Sequence, residues 1–358
     1  MRKLDLYIVK KFLTTFMFTI LLIVTIAIVI DITEKIDDFL DNKLSLTFVV
    51  TKYYVHFIPW IGMMLSSLFV FISVVFFTSR MSGNSEIVAA LAGGVSFYRL
   101  LVPYLLTALF LMGVFMYFNH RIVPKSNLER IEFEDKYVKA VDKKRDKNFH
   151  LQIAQDTFLY LQNYNEPNQS GYKFSLEGIK NKHAYYKLTA DKIEWKGDSL
   201  GWQLENIIER KDMGWKEVIT ETQTEIRQLG FEPDVLEEKV MFKETMTSTE
   251  LKQYIKDEKQ RGGVNLDFFY VELYKRTTVP VSTIILTIIG VALTSRKMRG
   301  GLGIHIVLGM LLAVTYIAIL QFSITFATKG NLDPLLASWI PNIIFGVIGF
   351  FLMIKAPK

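Results

Sequence analysis

The chain has no cysteine, so no disulfide can staple its exposed parts and no thiolate chemistry is open to it. It also lacks a GxxxxGKS/T loop, which excludes the usual P-loop cradle for a nucleotide's phosphates. There is no HExxH, and the five histidines (His56, His120, His150, His183 and His305) are scattered without metal-ligand spacing. Neither a metal nor a cofactor is expected. His56 and His305 lie within or beside apolar runs, where a satisfied structural histidine is the favoured reading over a ligand or proton carrier.

Charge is missing from six long blocks: Phe12 to Ile30, Tyr53 to Ser79, Leu100 to Asn119, Thr277 to Ser295, Gly300 to Thr328 and Pro334 to Ile354. At about 1.5 Å of rise per residue, each is long enough to cross a hydrocarbon core of about 30 Å. Six such runs with charged punctuation point to a polytopic α-helical membrane protein. The first block is longer than a signal-peptide core and runs into "DITEKIDDF" without a small-residue cleavage site, so it is read as a retained span. No acidic residue falls inside these blocks. Proton coupling of the usual Asp/Glu kind is therefore disfavoured, and any work done here draws its energy from another polypeptide.

Lys and Arg fix the expected orientation. With the N-terminus inside, the inner segments carry Arg2, Lys3, Lys10, Lys11, Arg80, Arg99, Arg296, Lys297, Arg299, Lys355 and Lys358, against Lys35, Lys43, Lys52 and Lys329 in the short outer loops. The positive-inside rule is satisfied, with both termini cytoplasmic. The net charge of +6 thus suits anionic lipid headgroups at the inner rim and does not point to nucleic acid.

Between the third and fourth blocks the composition turns polar. "SNLERIEFEDKYVKAVDKKRDK" reads as a charged helical stalk continuing from the third span, its charges a solvated face. The runs "TFLYLQNY", "YKFSLEGI", "HAYYKLTADKIEWKGD" and "GWQLENIIERKD" have partial period-two alternation between turn residues, and predict a β-sandwich or jelly roll. "TSTELKQYIKDEKQRGG" has a capping-box start at Thr247 and Glu250, and Gly262 and Gly263 are expected to stop the helix. The expected division is 1–123, three spans with an inner loop; 124–273, stalk and outer β-jelly-roll domain; and 274–358, three more spans.

The inner loop "SRMSGNSEIVAALAGGVSFYRLLVP", Ser79 to Pro103, is made mostly of small residues. At 100° per residue, Glu86, Ala89, Ala90 and Gly93 share one helix face, and Ile87, Val88, Leu91 and Ala92 the other. The second face is apolar enough to lie on the membrane core. The first is nearly bare and carries a single carboxylate, fit for close approach by a partner bearing a cation. Ser85 or Asn84 is expected to cap the start, and Gly93 and Gly94 to end it. The alternative, equally open on these residues, is that Glu86 only complements the positive end of a short helix.

"LDLYIVKKFLTTF" at Leu4 to Phe16, "NSEIVAALAGGVSFYRLLVP" at Asn84 to Pro103 and "ELKQYI" before the fourth span resemble the LptF/LptG (YjgP/YjgQ) permease family, slightly more the G form. The resemblance covers essentially the whole chain, and its second motif is the specific one. It implies the non-catalytic membrane subunit of an ABC transporter that extracts lipopolysaccharide from the outer leaflet of a bacterial inner membrane. It further implies four partners: an LptB-like cytoplasmic ATPase dimer, a second LptF/LptG-like permease subunit, an LptC-like periplasmic bridge, and the lipopolysaccharide itself among membrane lipids. On this resemblance the helix near 85–92, with Ser85, Glu86, Ala89, Ala90 and Gly93, is the coupling helix that docks on the ATPase. Spans one and five form lateral gates.

Family members can carry a base near the outer end of span one that meets lipid phosphates. This chain has Ile30 and Asp31 there, and its nearest base, Lys35, is the expected headgroup contact. Two other classes fit less well. A lipid-modifying membrane enzyme needs a cluster of polar catalytic groups, and none is evident. A mechanotransmission ABC permease, which moves a periplasmic partner without carrying lipid, shares the outer-domain plan but usually has four spans.

Overall fold

A computed structural model of the chain describes residues 3–138, 149–154, 156–165, 168–180, 183–197, 200–214, 216–233, 243–260, 266–295 and 301–356. These residues form two compact units: a helical one within 1–138, 244–251 and 267–358, and a β unit within 139–243 and 252–266.

In the helical unit, α1 (Lys3–Asp41) is followed by a short α2 (Leu46–Val49), a π-helical turn (Val50–Tyr54), α3 (Val55–Met64), α4 (Ser66–Gly83), α5 (Glu86–Ala92) and α6 (Phe97–Tyr117). A second π turn (Phe118–Ile122) passes α6 into α7 (Val123–Tyr137). Among the described residues, six helices are long and apolar enough to cross a membrane. The apolar blocks locate them, but their ends differ. With 39 residues, α1 rises about 58 Å, well beyond a bilayer's hydrocarbon core. The second block is broken. After α3, Leu65 leaves helical geometry (φ −107°, ψ 9°) and the Ser66 hydroxyl donates to the Met63 carbonyl at 2.9 Å before α4 begins.

Small residues set how closely these helices pack, as is usual where no hydrophobic driving force operates between helices in lipid. In the second half, α9 (Asp267–Thr294) is followed by α10 (Gly301–Lys329) and α11 (Pro334–Ile354). A Cβ on Gly290 of α9 would lie 2.9 Å from Val74 Cγ1 of α4, and one on Gly309 of α10 would lie 3.0 Å from Val75 Cγ1. Ser67 and Ser282 hydroxyls bond across the α4–α9 contact at 2.7 Å. Around the N-terminal half, Ile8, Phe12, Phe77, Ile87, Leu100 and Tyr104 share one buried cluster, with Phe77 and Tyr104 stacked at 5.2 Å.

The β unit is a six-stranded antiparallel sheet whose order follows the chain: β1 (Phe149–Ala154), β2 (Thr157–Asn165), β3 (Ser170–Lys180), β4 (His183–Trp195), β5 (Trp202–Asp212) and β6 (Glu217–Arg227). Every strand hairpins to the next, so pairing is local throughout. Alternation buries Leu159 and Leu161, Phe174 and Leu176, Leu188 and Ala190, and Trp202 and Leu204 on one face. Trp202 is fully buried, and its indole N–H donates to the Phe231 carbonyl at 2.8 Å, satisfying the one polar atom such a side chain brings into a core. Gly171 is required where it stands: a Cβ there would lie 2.7 Å from Leu161 Cδ1.

The stalk expected over 126–147 is helical as α7 as far as Tyr137, with Val138 its C-cap, and from residue 139 on it lies outside the described residues. So do Gly262 and Gly263, the expected stop of α8 (Ser248–Gln260). The start of α8 has the predicted capping box. Thr247 N–H donates to Glu250 Oε2 at 2.7 Å, and Glu250 N–H reaches Thr247 Oγ1 at 3.5 Å. The first of these bonds holds the Glu250 carboxyl below the usual range.

Candidate functional site

The loop at Ser79 to Pro103 does form a helix, α5, of seven residues. Its end is a Schellman motif: Gly94 N–H donates to Leu91 O at 3.0 Å and Val95 N–H to Ala90 O at 3.1 Å. Gly94 takes φ +84°, which a side chain would resist. The start departs from expectation. Ser85 is left-handed (φ 62°) and its side chain caps nothing. Asn84 does not cap either; its amide donates to Glu86 Oε1 at 3.2 Å.

The faces of α5 are rotated from those the periodicity suggests. Ile87 is fully buried, and Leu91 packs on the same cluster. Val88 is 48% exposed, and Ala89, Ala92 and Gly93 are open. Glu86 and Ala90 flank this open strip half-buried, so Val88 and Ala92 change sides relative to the sequence reading. The Glu86 carboxylate lies at the strip's edge, where Tyr7 of α1 donates to its Oε2 at 3.0 Å.

Lys35 is turned inward. Its side chain is 14% exposed, and its ammonium lies 2.7 Å from both Asp31 Oδ1 and Glu134 Oε1. It also bonds the Tyr53 hydroxyl, and the Tyr53 and Tyr54 hydroxyls donate to Asp31 at 3.1 and 3.0 Å. Arg130 completes the cluster, bonding Glu134 Oε2 at 2.8 Å with its guanidinium 4.1 Å from the Trp60 ring centroid. Two cations and two carboxylates balance. The expected headgroup contact is thus a member of a neutral, largely buried network joining α1, the first π turn and α7. The acid beside it, Asp31, was legible in the sequence; the Glu134 that completes the cage was not.

A cavity of about 360 Å³ opens within the helical unit. Met63, Leu68, Leu286, Ile317 and Leu320 supply apolar wall, and Asn127, Glu272, Lys275 and Arg276 supply a polar end. Arg276 Nε donates to Glu272 Oε1 at 3.2 Å and its Nη1 to the Ser248 hydroxyl at 3.1 Å. The same hydroxyl meets His120 Nδ1 at 2.6 Å. Asn127 is fully buried; its Oδ1 accepts from Arg130 Nε at 2.9 Å, which fixes the amide's orientation. Its Nδ2 has no partner, and an unmatched buried donor of this kind costs about 1–3 kcal/mol unless a ligand or water accepts from it. Arg276 and Glu272 escaped the sequence reading because α9 begins ten residues before the apolar block at Thr277. The i,i+4 spacing of Glu272 and Arg276 was the available signal.

Among the described residues, no group of three or more His, Cys, Asp or Glu could hold a metal ion. In the β unit, a trough of about 1250 Å³ is lined by Leu159, Phe174, Ala190 and Ile207, with Lys173 and Glu177 among its polar groups.

Among the described residues, six apolar helices and a β insertion define a multi-pass membrane protein. The chain belongs to the family described as lipopolysaccharide export system permease LptF/LptG, whose family model matches residues 6–355. It is therefore a permease subunit of lipopolysaccharide export, and the match spans both the F and the G forms. Comparison with curated proteins gave no significant match.

Proposed function

We propose that this chain is one of two permease subunits of an ABC exporter, driven by a separate cytoplasmic ATPase that docks on α5. The single observation that carries the reading is the sidedness of α5. Ile87 and Leu91 anchor it to the helical core, while Val88, Ala89 and Ala92 stand open beside the Glu86 carboxylate. Small side chains let a partner's backbone come close, and the carboxylate favours a cation on that partner. Lys and Arg around this end of the helices support a cytoplasmic placement of α5 and both termini, with the β domain in the periplasm.

Lipopolysaccharide would enter from the outer leaflet between this chain and its partner permease, past α1 and α10. Its acyl chains would use the apolar cavity, and a polar oxygen of the headgroup would accept from Asn127. The β domain would pass the lipid to a periplasmic bridge. Closure of the ATPase would shift the cavity's equilibrium only by binding one state of the permease more tightly than the other. This chain contributes geometry and no covalent step.

Capture of the ATPase from detergent tests the reading, with wild type against Glu86→Arg. Charge reversal is expected to cost at least tenfold in affinity, the scale of a charge-assisted bond turned repulsive. Full affinity together with normal lipid release in the correctly inserted variant would remove Glu86 from the interface. Photocrosslinkers in α1 and α10 should capture lipopolysaccharide; labelling of bulk phospholipid alone would favour a mechanotransmission role.

A further inference from the structure

We propose that Tyr7 is a positioning residue for Glu86 and ties the start of α1 to α5, while the Asp5–Arg99 ion pair ties it to the first turn of α6, so that displacement of α5 is delivered directly to α1. The proposal rests on α5 being the docking element. Chain connectivity and apolar packing join α5 to α4 and α6. The ties to α1 are made by side chains, one at the start of α5 and one in the first turn of α6.

At the start of α5, the Tyr7 hydroxyl donates to Glu86 Oε2 at 3.0 Å, while Asn84 holds Oε1 at 3.2 Å. Glu86 does not cap its own helix; its carboxylate is gripped from α1. Past the end of α5, Arg99 Nη2 meets Asp5 Oδ2 at 2.7 Å, and Asp5 is buried. The Ser96 hydroxyl accepts from Arg99 N–H at 3.3 Å and so caps α6, whose first turn presents Arg99. Ile8 and Ile87 are both fully buried, in one cluster with Phe12, Leu100 and Tyr104. Two polar ties therefore bracket an apolar seam. Polar links of this kind set register and direction where packing alone would let small side chains slide. Lys11, 5.6 Å from the Tyr7 ring centroid, further restrains the ring.

The second consequence concerns Glu86 itself. Held by Tyr7 and Asn84, the carboxylate is oriented before any partner arrives, which reduces the ordering cost of docking. Losing the Tyr7 hydroxyl leaves the charge but frees its rotamers.

The absence of cysteine makes the test direct, because introduced thiols are unique in this chain. Full-length protein in nanodiscs, with its partner permease, carries spin labels at Met17→Cys on α1 and Ala92→Cys on α5, both exposed positions. The background is wild type, Tyr7→Phe, Asp5→Asn or both. Wild type should give one narrow distance distribution, and the double variant a broadened one or a second population; unchanged width in the double variant overturns the tie. With the ATPase present, Tyr7→Phe should reduce lipid released per ATP by about three- to tenfold, the range of one solvent-exposed net hydrogen bond. In a Glu86→Ala background the same substitution should cost nothing more, and an equal loss there would overturn the positioning role. Failure of wild type to capture an ATPase would sink the docking reading, and the distance comparison would still decide the tie.

Discussion

Replacing Lys35 with methionine separates a structural lysine from a headgroup contact. The ammonium sits 2.7 Å from two carboxylates, in a cluster where Lys35 and Arg130 balance Asp31 and Glu134. Each contact is worth about 6 kcal/mol in gross Coulomb energy at an effective dielectric near 20, most of it offset by desolvation. The net effect of removing one partner is set by the charge left behind. Lys35→Met leaves Asp31 and Glu134 with Arg130 alone, a buried excess of one negative charge, and is expected to destabilise by about 3–5 kcal/mol. Asp31→Asn with Lys35→Met leaves the Glu134–Arg130 pair neutral, and the Tyr53 and Tyr54 hydroxyls can still donate to the asparagine oxygen. The double variant should therefore be more stable than Lys35→Met alone, an inversion of simple additivity. Thermal unfolding of the full protein in detergent, followed by loss of monodisperse protein on heating, reads both. A Lys35→Met protein as stable as wild type, or a double variant worse than the single, would refute the network. Lipopolysaccharide crosslinking that fell in the double variant despite recovered stability would return Lys35 to a contact role.

Two further outcomes follow from packing and charge. Gly290→Ala places a Cβ 2.9 Å from Val74 Cγ1, so α4 and α9 must separate; a loss of about 1–3 kcal/mol is expected, seen as a lower unfolding temperature of the full protein. In the β unit, hydrogen bonds from Lys196 and then Lys192 lower the Glu194 carboxyl from 4.5 to about 2. A depressed carboxylate stabilises the folded state above its unfolded value and loses that contribution as pH falls. Unfolding of the β unit, read by tryptophan fluorescence, should thus become easier between pH 4.5 and about 2, and Glu194→Gln should flatten that slope. An unchanged slope in the variant would mean the Lys196 and Lys192 contacts do not matter to folding.

The strands β2 to β5 were legible because each alternates apolar and polar residues. The edge strand β6 was not: "EVITETQTEIR" buries no residue, so it carries no inward period, and only its pairing with β5 makes it a strand. In α5 the existence and end of the helix were readable from Gly94, but its rotation was not. Periodicity sorts residues by polarity, and Val88 is apolar yet open. Its orientation is set by the Ile87 seam with α1 and by Tyr7.

The sequence by itself determined the six spans, the β insertion between the third and fourth, and the short helix between the second and third. Run length, alternation and glycine act within a few residues, and such signals survive without knowledge of the fold. Tertiary structure alone decided what Glu86 and Lys35 do. Glu86 meets Tyr7 across 79 residues, and Lys35 meets Glu134 across 99. Helix packing creates those distances, and a buried charge takes its role from the groups that packing places around it.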